Sequence, residues 1–167
     1  MSGSSLIHYQ ATSSSFRAEM YDLDDLYQEV IMDHNRRPRN FRKPSDANRE
    51  AEGFNPLCGD QITLYLAVED DMIADVGFQA MGCAISKASA SMMTESVKGL
   101  SLEDAEKVFN EFRSMITQED FDPDVLGDAE LLEGVSRYPA RIKCAALSWH
   151  ALNSVLGEGE GATVTTE

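Results

Sequence analysis

The spacing of hydrophobic residues divides this chain into helical and extended stretches. From Asp22 to His34, apolar side chains recur at intervals of three and four residues, which predicts an amphipathic helix that ends near Pro38. From residue 61 to residue 80, apolar and polar side chains alternate on both sides of an acidic turn, which predicts a β-hairpin. Such alternation is typical of a sheet that is covered on one face and more solvated on the other.

Helical spacing returns after the hairpin. Cys83 precedes a helix rich in alanine, serine and methionine that Gly99 ends, and Ser101 caps the next helix. Pro139 is a favourable first residue for the last helix. Residues 117–135 are acidic and irregular and lack the spacing of a calcium-binding EF-hand loop, so we interpret them as an ordered surface excursion.

The hairpin brings two of the three cysteines together. Cys58 lies just before its first strand, and Cys83 lies just after its second. Because two paired strands of similar length return the chain to its starting edge, we expect both thiols at the same end of the sheet. Cys144 lies on the last helix, on a face with Arg141 and Ser148 that differs from the predicted core face, so it is not placed as a core residue would be.

A short motif, Asn55-Pro56-Leu57-Cys58-Gly59-Asp60, carries the most distinctive chemistry. Gly59 permits a sharp turn, so a thiol and a carboxylate two positions apart can face one point. Sulfur and carboxylate oxygen are two of the ligands that a tetrahedral zinc ion takes, and Cys83 and Cys144 could supply the other two. Since the chain has no C-x-x-C pair, spacing alone does not separate such a site from three unrelated thiols.

Two other features each have more than one interpretation. His34 is a candidate ligand, but a histidine on such a helix face is more often a packed or capping residue, and we favour that interpretation. The polar connection at 36–50 contains the one basic island of the chain, which is either a solvated loop or a docking surface. Its basic residues are Arg36, Arg37, Arg39, Arg42 and Lys43.

Composition limits the partners and the compartment. The 167 residues are 43% hydrophobic, enough for the core of one domain, and carry a formal net charge of −15. That charge disfavours nucleic acid and anionic membranes, and it either serves solubility or favours a basic patch on a partner protein. Three cysteines, with no apolar leader and no membrane-length segment, predict a cytoplasmic protein with reduced thiols. We expect a flexible arm at 1–20, a domain at 21–156 and a disordered tail at 157–167.

Three motifs together resemble the IscU/SufU family. They are the Asn55–Asp60 motif, the Gly82–Ser86 segment GCAIS and the run from Arg141 to Cys144, and they occur in the family's order. The resemblance covers about residues 20–156. It implies a single α+β domain, in which helices pack on a small antiparallel sheet, and a role in iron–sulfur cluster assembly.

Two departures from the scaffold branch of that family resemble SufU. Lys143 stands where the scaffold branch has a histidine, and residues 117–135 resemble an additional segment. The SufU resemblance implies a zinc-dependent sulfurtransferase that takes persulfide sulfur from the cysteine desulfurase SufS for downstream Suf assembly proteins. It implies zinc ligation by Cys58, Asp60, Cys83 and Cys144.

The same resemblance assigns further roles. Cys58 matches the sulfur acceptor, and Arg141 matches a basic residue that faces the partner. The alternative is an IscU-like scaffold, which would assemble a transient [2Fe–2S] cluster on the same four residues; the lysine at position 143 disfavours it. A purely structural zinc module is a further alternative, which the mixed cysteine and aspartate ligation disfavours.

Overall fold

The computed structural model describes residues 28–157 and 160–166. The chain divides into two compact units, Met1–Val30 and Ile31–Glu167, and the elements that position the candidate site belong to the second. Helix α1 covers residues 28–36 of the described part. The predicted arm at 1–20 and the first turns of the predicted helix at 22–27 lie outside the described residues.

The predicted hairpin is present. Strand β2, Asp60–Glu69, pairs antiparallel with β3, Met72–Met81, and the acidic turn lies between them. A further strand, β1, Arg49–Asn55, pairs antiparallel with β2. The hydrophobic pattern did not predict β1, because its inward positions are Ala51, Gly53 and Asn55, which are too small or too polar to give an apolar alternation.

A fourth strand differs from the prediction of a disordered tail at 157–167. Strand β4, Glu160–Thr165, pairs in parallel with β1, so the sheet order is β3-β2-β1-β4. The sheet is therefore mixed, with one parallel pair added to the expected antiparallel arrangement. The edge of β1 that faces away from β2 offers unpaired backbone N–H and C=O groups. The hydrogen bonds that β4 forms with this edge outweigh the tendency of the polar tail to stay disordered.

Four further helices and one 3₁₀ segment follow the hairpin in the described part of the chain. Helix α2 is Ala84–Val97, α3 is Leu102–Ile116, α4 is Pro123–Leu126, a 3₁₀ segment is Gly127–Arg137, and α5 is Pro139–Leu156. The predicted start of α2 after Cys83 and the predicted cap at Ser101 are confirmed, and the side chains of both residues accept backbone N–H groups at the starts of these helices. None of these helices has the length and apolar character needed to cross a membrane.

Helix α5 lies in the centre of the domain and packs against the sheet, α2 and α3. Trp149 stacks on Phe112 with ring centroids 4.2 Å apart, and its indole N–H donates to Ser89 Oγ at 3.0 Å. The prediction that Cys144 lies outside the core is wrong, since Cys144 and Ser148 are both buried. A helix covered on several sides has no single polar face, and periodicity cannot show this.

Candidate metal centre

The loop between β1 and β2 carries Cys58. Asn55 and Asp60 are the last cross-strand pair of the β1–β2 ladder, and only residues 56–59 connect them. The Cys58 N–H donates to the Asn55 carbonyl at 3.3 Å, and Gly59 has a φ of 70°, which permits the turn. Cys58 is exposed at the loop, whereas Asp60 at the start of β2 is buried. The motif therefore presents one accessible sulfur above one buried carboxylate.

Cys83 lies beside this carboxylate, as the hairpin predicts. The Cys83 N–H donates to Asp60 Oδ1 at 2.8 Å, and Cys83 Sγ is 3.9 Å from Asp60 Oδ2. The Ser86 N–H donates to Cys83 Sγ at 3.4 Å, because Cys83 caps α2. Gly82 precedes it with a φ of 140°, and a Cβ there would collide with Asp60 Oδ1. Only glycine lets this segment approach Asp60 so closely.

Cys144 completes the group from α5. Its Sγ is 3.4 Å from Cys58 Sγ, and Cys58, Asp60 and Cys144 form a set that could hold a metal ion. Ligands at about 2.0–2.3 Å from a tetrahedral zinc ion lie roughly 3.5–3.8 Å from one another. The 3.4 and 3.9 Å separations found here bracket that range. The ligand atoms of Cys58, Asp60 and Cys144 all lie within 4.8 Å of one another, whereas Cys83 is not in that set and lies beside it, 3.9 Å from Asp60. Three sulfurs and one carboxylate are a donor set that zinc accepts, so the residue types present fit this metal.

Burial changes the acid–base chemistry of Cys144. Loss of hydration raises the pKa of its thiol, and the neighbouring Cys58, Asp60 and Cys83 raise it further. In the metal-free protein the Cys144 thiol is therefore protonated at neutral pH. Since a thiol ligates as the thiolate, a metal that binds here displaces this proton, and its affinity depends on pH.

The sequence did not point to Asn55 as a functional residue. Its side chain is fully buried, and its Nδ2 donates to Asp60 Oδ2 at 3.1 Å and to Cys144 Sγ at 3.5 Å. Asn55 Oδ1 is also buried and has no hydrogen-bond partner in the described part of the chain. The pattern along the chain gave no signal for it, because the pairing of Asn55 with Asp60 depends on strand β1, which the hydrophobic pattern did not predict.

Exposed side chains surround the thiols. Arg141, one turn before Cys144 on α5, is exposed. Three large apolar residues near the site are also exposed: Leu57 by 67%, Met81 by 73% and Tyr138 by 61%. Each belongs to a segment that carries a candidate ligand, so apolar surface rims the group from several directions. We call these three residues the apolar rim.

A second group of possible ligands lies elsewhere in the domain. His34, Glu95 and Asp128 also have ligand atoms close enough to hold a metal ion. His34 is buried, and its Nδ1 is 2.7 Å from Ser91 Oγ. Its Nε2 lies 3.4 Å from Asp128 and 3.9 Å from Glu95. We call these three residues the His34 cluster.

The fold and the arrangement of the thiols define the class of the protein. Residues 26–145 match the NifU-like N terminal domain, and the chain belongs to this family. Family membership confirms the resemblance drawn from the three motifs.

Two individual relatives and one solved structure show which members of this family the chain resembles. The zinc-dependent sulfurtransferase SufU of Bacillus subtilis is 45% identical over 84% of this chain and 95% of the relative. The iron–sulfur cluster assembly scaffold protein IscU of Streptococcus pyogenes is 40% identical over 87% of this chain and 91% of the relative. The crystal structure of a protein from Fervidobacterium islandicum, described as an iron–sulfur cluster assembly scaffold protein for the SUF system (FiSufU), has a TM-score of 0.74 and 37% identity, covering 77% of this chain and 94% of that one. The α+β fold class is thus confirmed.

Proposed function

We propose that this chain is a zinc-dependent sulfurtransferase of iron–sulfur cluster assembly. It accepts persulfide sulfur from a cysteine desulfurase of the SufS type and passes the sulfur to downstream Suf assembly proteins. The relative named as a zinc-dependent sulfurtransferase supports this activity. Reduced thiols at the centre of the site favour the cytoplasm as its compartment.

Zinc would be held by Cys58, Asp60, Cys83 and Cys144. When bound, the ion supplies the charge that keeps the sulfurs as thiolates at neutral pH. Three of these residues are partly or fully buried, and Asp60 is held by the Cys83 N–H at 2.8 Å. The geometry therefore offers a firmly held carboxylate and two sheltered sulfurs.

The observation that carries the proposal is the difference between Cys58 and the other three residues. Cys83 Sγ accepts the Ser86 N–H, Cys144 Sγ accepts the Asn55 amide, and Asp60 accepts both the Cys83 N–H and the Asn55 amide. Within the described residues no N–H group donates to Cys58 Sγ. Hydrogen-bond donation withdraws electron density from a thiolate and makes it a weaker nucleophile. Cys58, which is exposed and accepts no N–H, is thus the sulfur best suited to react.

The transfer itself is a thiolate exchange without net oxidation. The Cys58 thiolate attacks the terminal sulfur of the partner's cysteine persulfide, and a new S–S bond forms on Cys58. The S–S bond of the partner breaks, and the partner's cysteine leaves as a thiolate with the electron pair of that bond. Cys58 then carries the persulfide.

The partner docks over the apolar rim and Arg141. Leu57, Met81 and Tyr138 expose apolar surface beside the thiols, and burying it against a partner excludes water from the exchange. A groove of about 260 Å³ continues this surface from Met81 to Phe41. Arg141 adds a cation to the same side of the domain, where a charge at the rim mainly guides encounter and register.

The experiment is a sulfur-transfer assay with a purified desulfurase, its substrate cysteine and the zinc-loaded protein. Cys58→Ala should abolish persulfide formation, detected by mass spectrometry of each cysteine peptide, because it removes the nucleophile. Arg141→Ala should keep its zinc and transfer sulfur only at higher protein concentration. Arg113→Ala, which removes an exposed arginine from α3, is the matched control and should behave like the parent.

Two outcomes contradict the proposal. Full transfer by Cys58→Ala would show that another cysteine accepts the sulfur. Iron and sulfide in the freshly purified protein, without zinc, would favour the scaffold alternative that the name of the Streptococcus pyogenes relative suggests.

A further inference from the structure

We propose that Asn55 is a positioning residue that determines which sulfur of this centre reacts. Its buried amide fixes Asp60 and Cys144 as firmly held ligands and leaves Cys58 as the sulfur that is free to exchange. The inference rests on the metal centre of the proposed function, but not on the identity of the sulfur donor.

The position of Asn55 follows from the β1–β2 ladder. Directly opposite residues of an antiparallel pair place their side chains on the same face, so Asn55 and Asp60 lie side by side. That face is covered by α5, which brings Cys144 within reach of the same amide nitrogen. One NH₂ group has two hydrogens, and here it has two acceptors, at 3.1 Å and 3.5 Å.

The orientation of the amide is set by its neighbours. Turning it over would place Asn55 Oδ1 against the Asp60 carboxylate, where two acceptors would repel each other. With Nδ2 directed at Asp60, the oxygen is left buried and without a partner in the described residues. Burying an unpaired carbonyl destabilises the fold. Because its buried oxygen is unfavourable, we explain the asparagine at this position by the hydrogen bonds that its nitrogen donates, rather than by its packing.

The chemical effect is selective. An outer hydrogen-bond partner fixes the orientation of a ligand, and losing one typically weakens metal binding by about 10–100-fold. Asn55 supplies the only side-chain N–H donated to these ligands in the described part of the chain, and it serves Asp60 and Cys144 at once. Cys58 accepts none, so the amide widens the difference in reactivity between Cys144 and Cys58.

The test compares variants of Asn55 on the zinc-loaded protein. Asn55→Ala removes the amide, and Asn55→Asp keeps its shape but replaces the donor by a second carboxylate. Zinc affinity is measured by competition with a chromophoric chelator, and the reaction of iodoacetamide with each cysteine is followed by peptide mass spectrometry. We expect both variants to bind zinc about 10–100-fold more weakly and to lose much of the preference for labelling at Cys58 over Cys144.

A matched control comes from the other end of β2. Asn48 exchanges two hydrogen bonds with the backbone of Val68 and touches none of the four ligands. Asn48→Ala therefore removes an exposed asparagine that also makes two side-chain hydrogen bonds to a neighbouring strand, and it should leave both the zinc affinity and the labelling preference unchanged. Parent-like affinity and labelling preference in both Asn55 variants would overturn the proposal.

A measurement on the parent covers the case in which neither variant folds. With ¹¹³Cd in place of zinc, a hydrogen bond from the Asn55 amide to the Cys144 sulfur should give a scalar coupling between the amide proton and the cadmium. Absence of that coupling in the folded parent would then overturn the proposal. Failure of the proposed function looks different: the centre would bind zinc with the expected Asn55 dependence, yet Cys58 would receive no sulfur from a desulfurase.

Discussion

Two groups of potential metal ligands lie in the described part of this domain. They differ in the hydrogen-bond donors and the charged side chains that surround them. The thiol group consists of Cys58, Asp60, Cys83 and Cys144, and the hydrogen bonds to it come from neutral N–H groups. The His34 cluster contains two exposed carboxylates, 48% and 64% accessible, that already have cationic or histidine neighbours. Neutral donors bring no positive charge to the thiol group, so a bound cation there would compensate the Asp60 carboxylate and the thiolates that form when the metal binds.

Arg39 is a cation that lies next to the second group, the His34 cluster. Its guanidinium lies 3.6 Å from Glu95 and 2.6 Å from Asp33, and its backbone N–H donates to Ser91 Oγ at 2.8 Å. The same hydroxyl lies beside the His34 ring. The basic island predicted as a possible docking surface is thus partly used inside the domain, since Arg42 also pairs with Asp75 at 2.8 Å. Both groups have the spacing of metal ligands, and they differ in the charge of their surroundings.

The largest expected effect is on zinc content: a substitution in the thiol group should remove the zinc, and a substitution in the His34 cluster should not. Cys144→Ser should reduce zinc from about one ion per chain to almost none, because it removes a buried ligand. An ion present at about 1,000 times its dissociation constant contributes about 4 kcal/mol of stability, so the melting temperature should fall on the order of 10 °C. Elemental analysis and thermal melts before and after chelation measure both quantities.

His34→Gln provides the counterpart in the second group. It removes a buried ring that contacts Ser91 and should lower the melting temperature, but zinc content should equal that of the parent. Zinc lost from His34→Gln and retained in Cys144→Ser would reverse the comparison and place the metal in the His34 cluster.

The sequence predicted those parts of the molecule that depend on neighbours along the chain. The hairpin follows from alternation, and the starts of α2 and α3 follow from the capping residues Cys83 and Ser101. The hairpin also predicted that Cys83 lies next to the Asn55–Asp60 motif. The 2.8 Å contact between the Cys83 N–H and Asp60 confirms this prediction. Placing Cys144 in the same group required the family motif as well.

The parts that were missed depend on contacts between distant segments. Strand β1 turns small residues inward because α5 packs closely on it: a Cβ at Gly53 would come within 3.0 Å of Leu147. Cys144 is buried because α5 is covered on several sides, which helical periodicity does not show. The role of Asn55 depends on an amide that meets Asp60 across a ladder and Cys144 on a helix.

A smaller loss of zinc affinity should follow when a methyl group is added next to the Asp60 carboxylate. Gly82→Ala adds a methyl group that collides with Asp60 Oδ1, so it should weaken zinc binding by about tenfold by displacing one ligand. Gly99→Ala is the matched control, since Gly99 also has a positive φ, 84°, but its Cβ would meet no atom within 4 Å. Both variants carry a backbone cost on the order of 1–3 kcal/mol because both positions have a positive φ, and only Gly82→Ala should change the zinc affinity. Equal affinities in a chelator competition would show that Asp60 does not need its present position.

The smallest expected effect tests the charge of Arg39, which lies beside the His34 cluster, through its other partner, Asp33. The pKa of Asp33 lies below its ordinary value of 3.8, first because Arg39 donates a hydrogen bond to it, and further because of the positive charges of Arg39 and Arg37. Desolvation acts in the opposite direction and is outweighed. A lowered pKa in the folded state contributes stability above the ordinary pKa, and this stability is lost as the pH falls through the folded value.

Arg39→Gln should therefore return the pKa of Asp33 towards 3.8 and lower the stability slightly at neutral pH. The difference in stability between the variant and the parent should disappear at acid pH, where Asp33 is protonated in both folded and unfolded chains. Carboxyl-carbon NMR titration measures the pKa directly. Arg42→Gln is the control, because Arg42 pairs with Asp75, and its loss should raise the pKa of Asp75 and leave Asp33 unchanged. If Arg39→Gln leaves the pKa of Asp33 where it is, the guanidinium of Arg39 does not act on the carboxylates around it, and its 3.6 Å contact with Glu95 of the His34 cluster gives no electrostatic contrast with the thiol group.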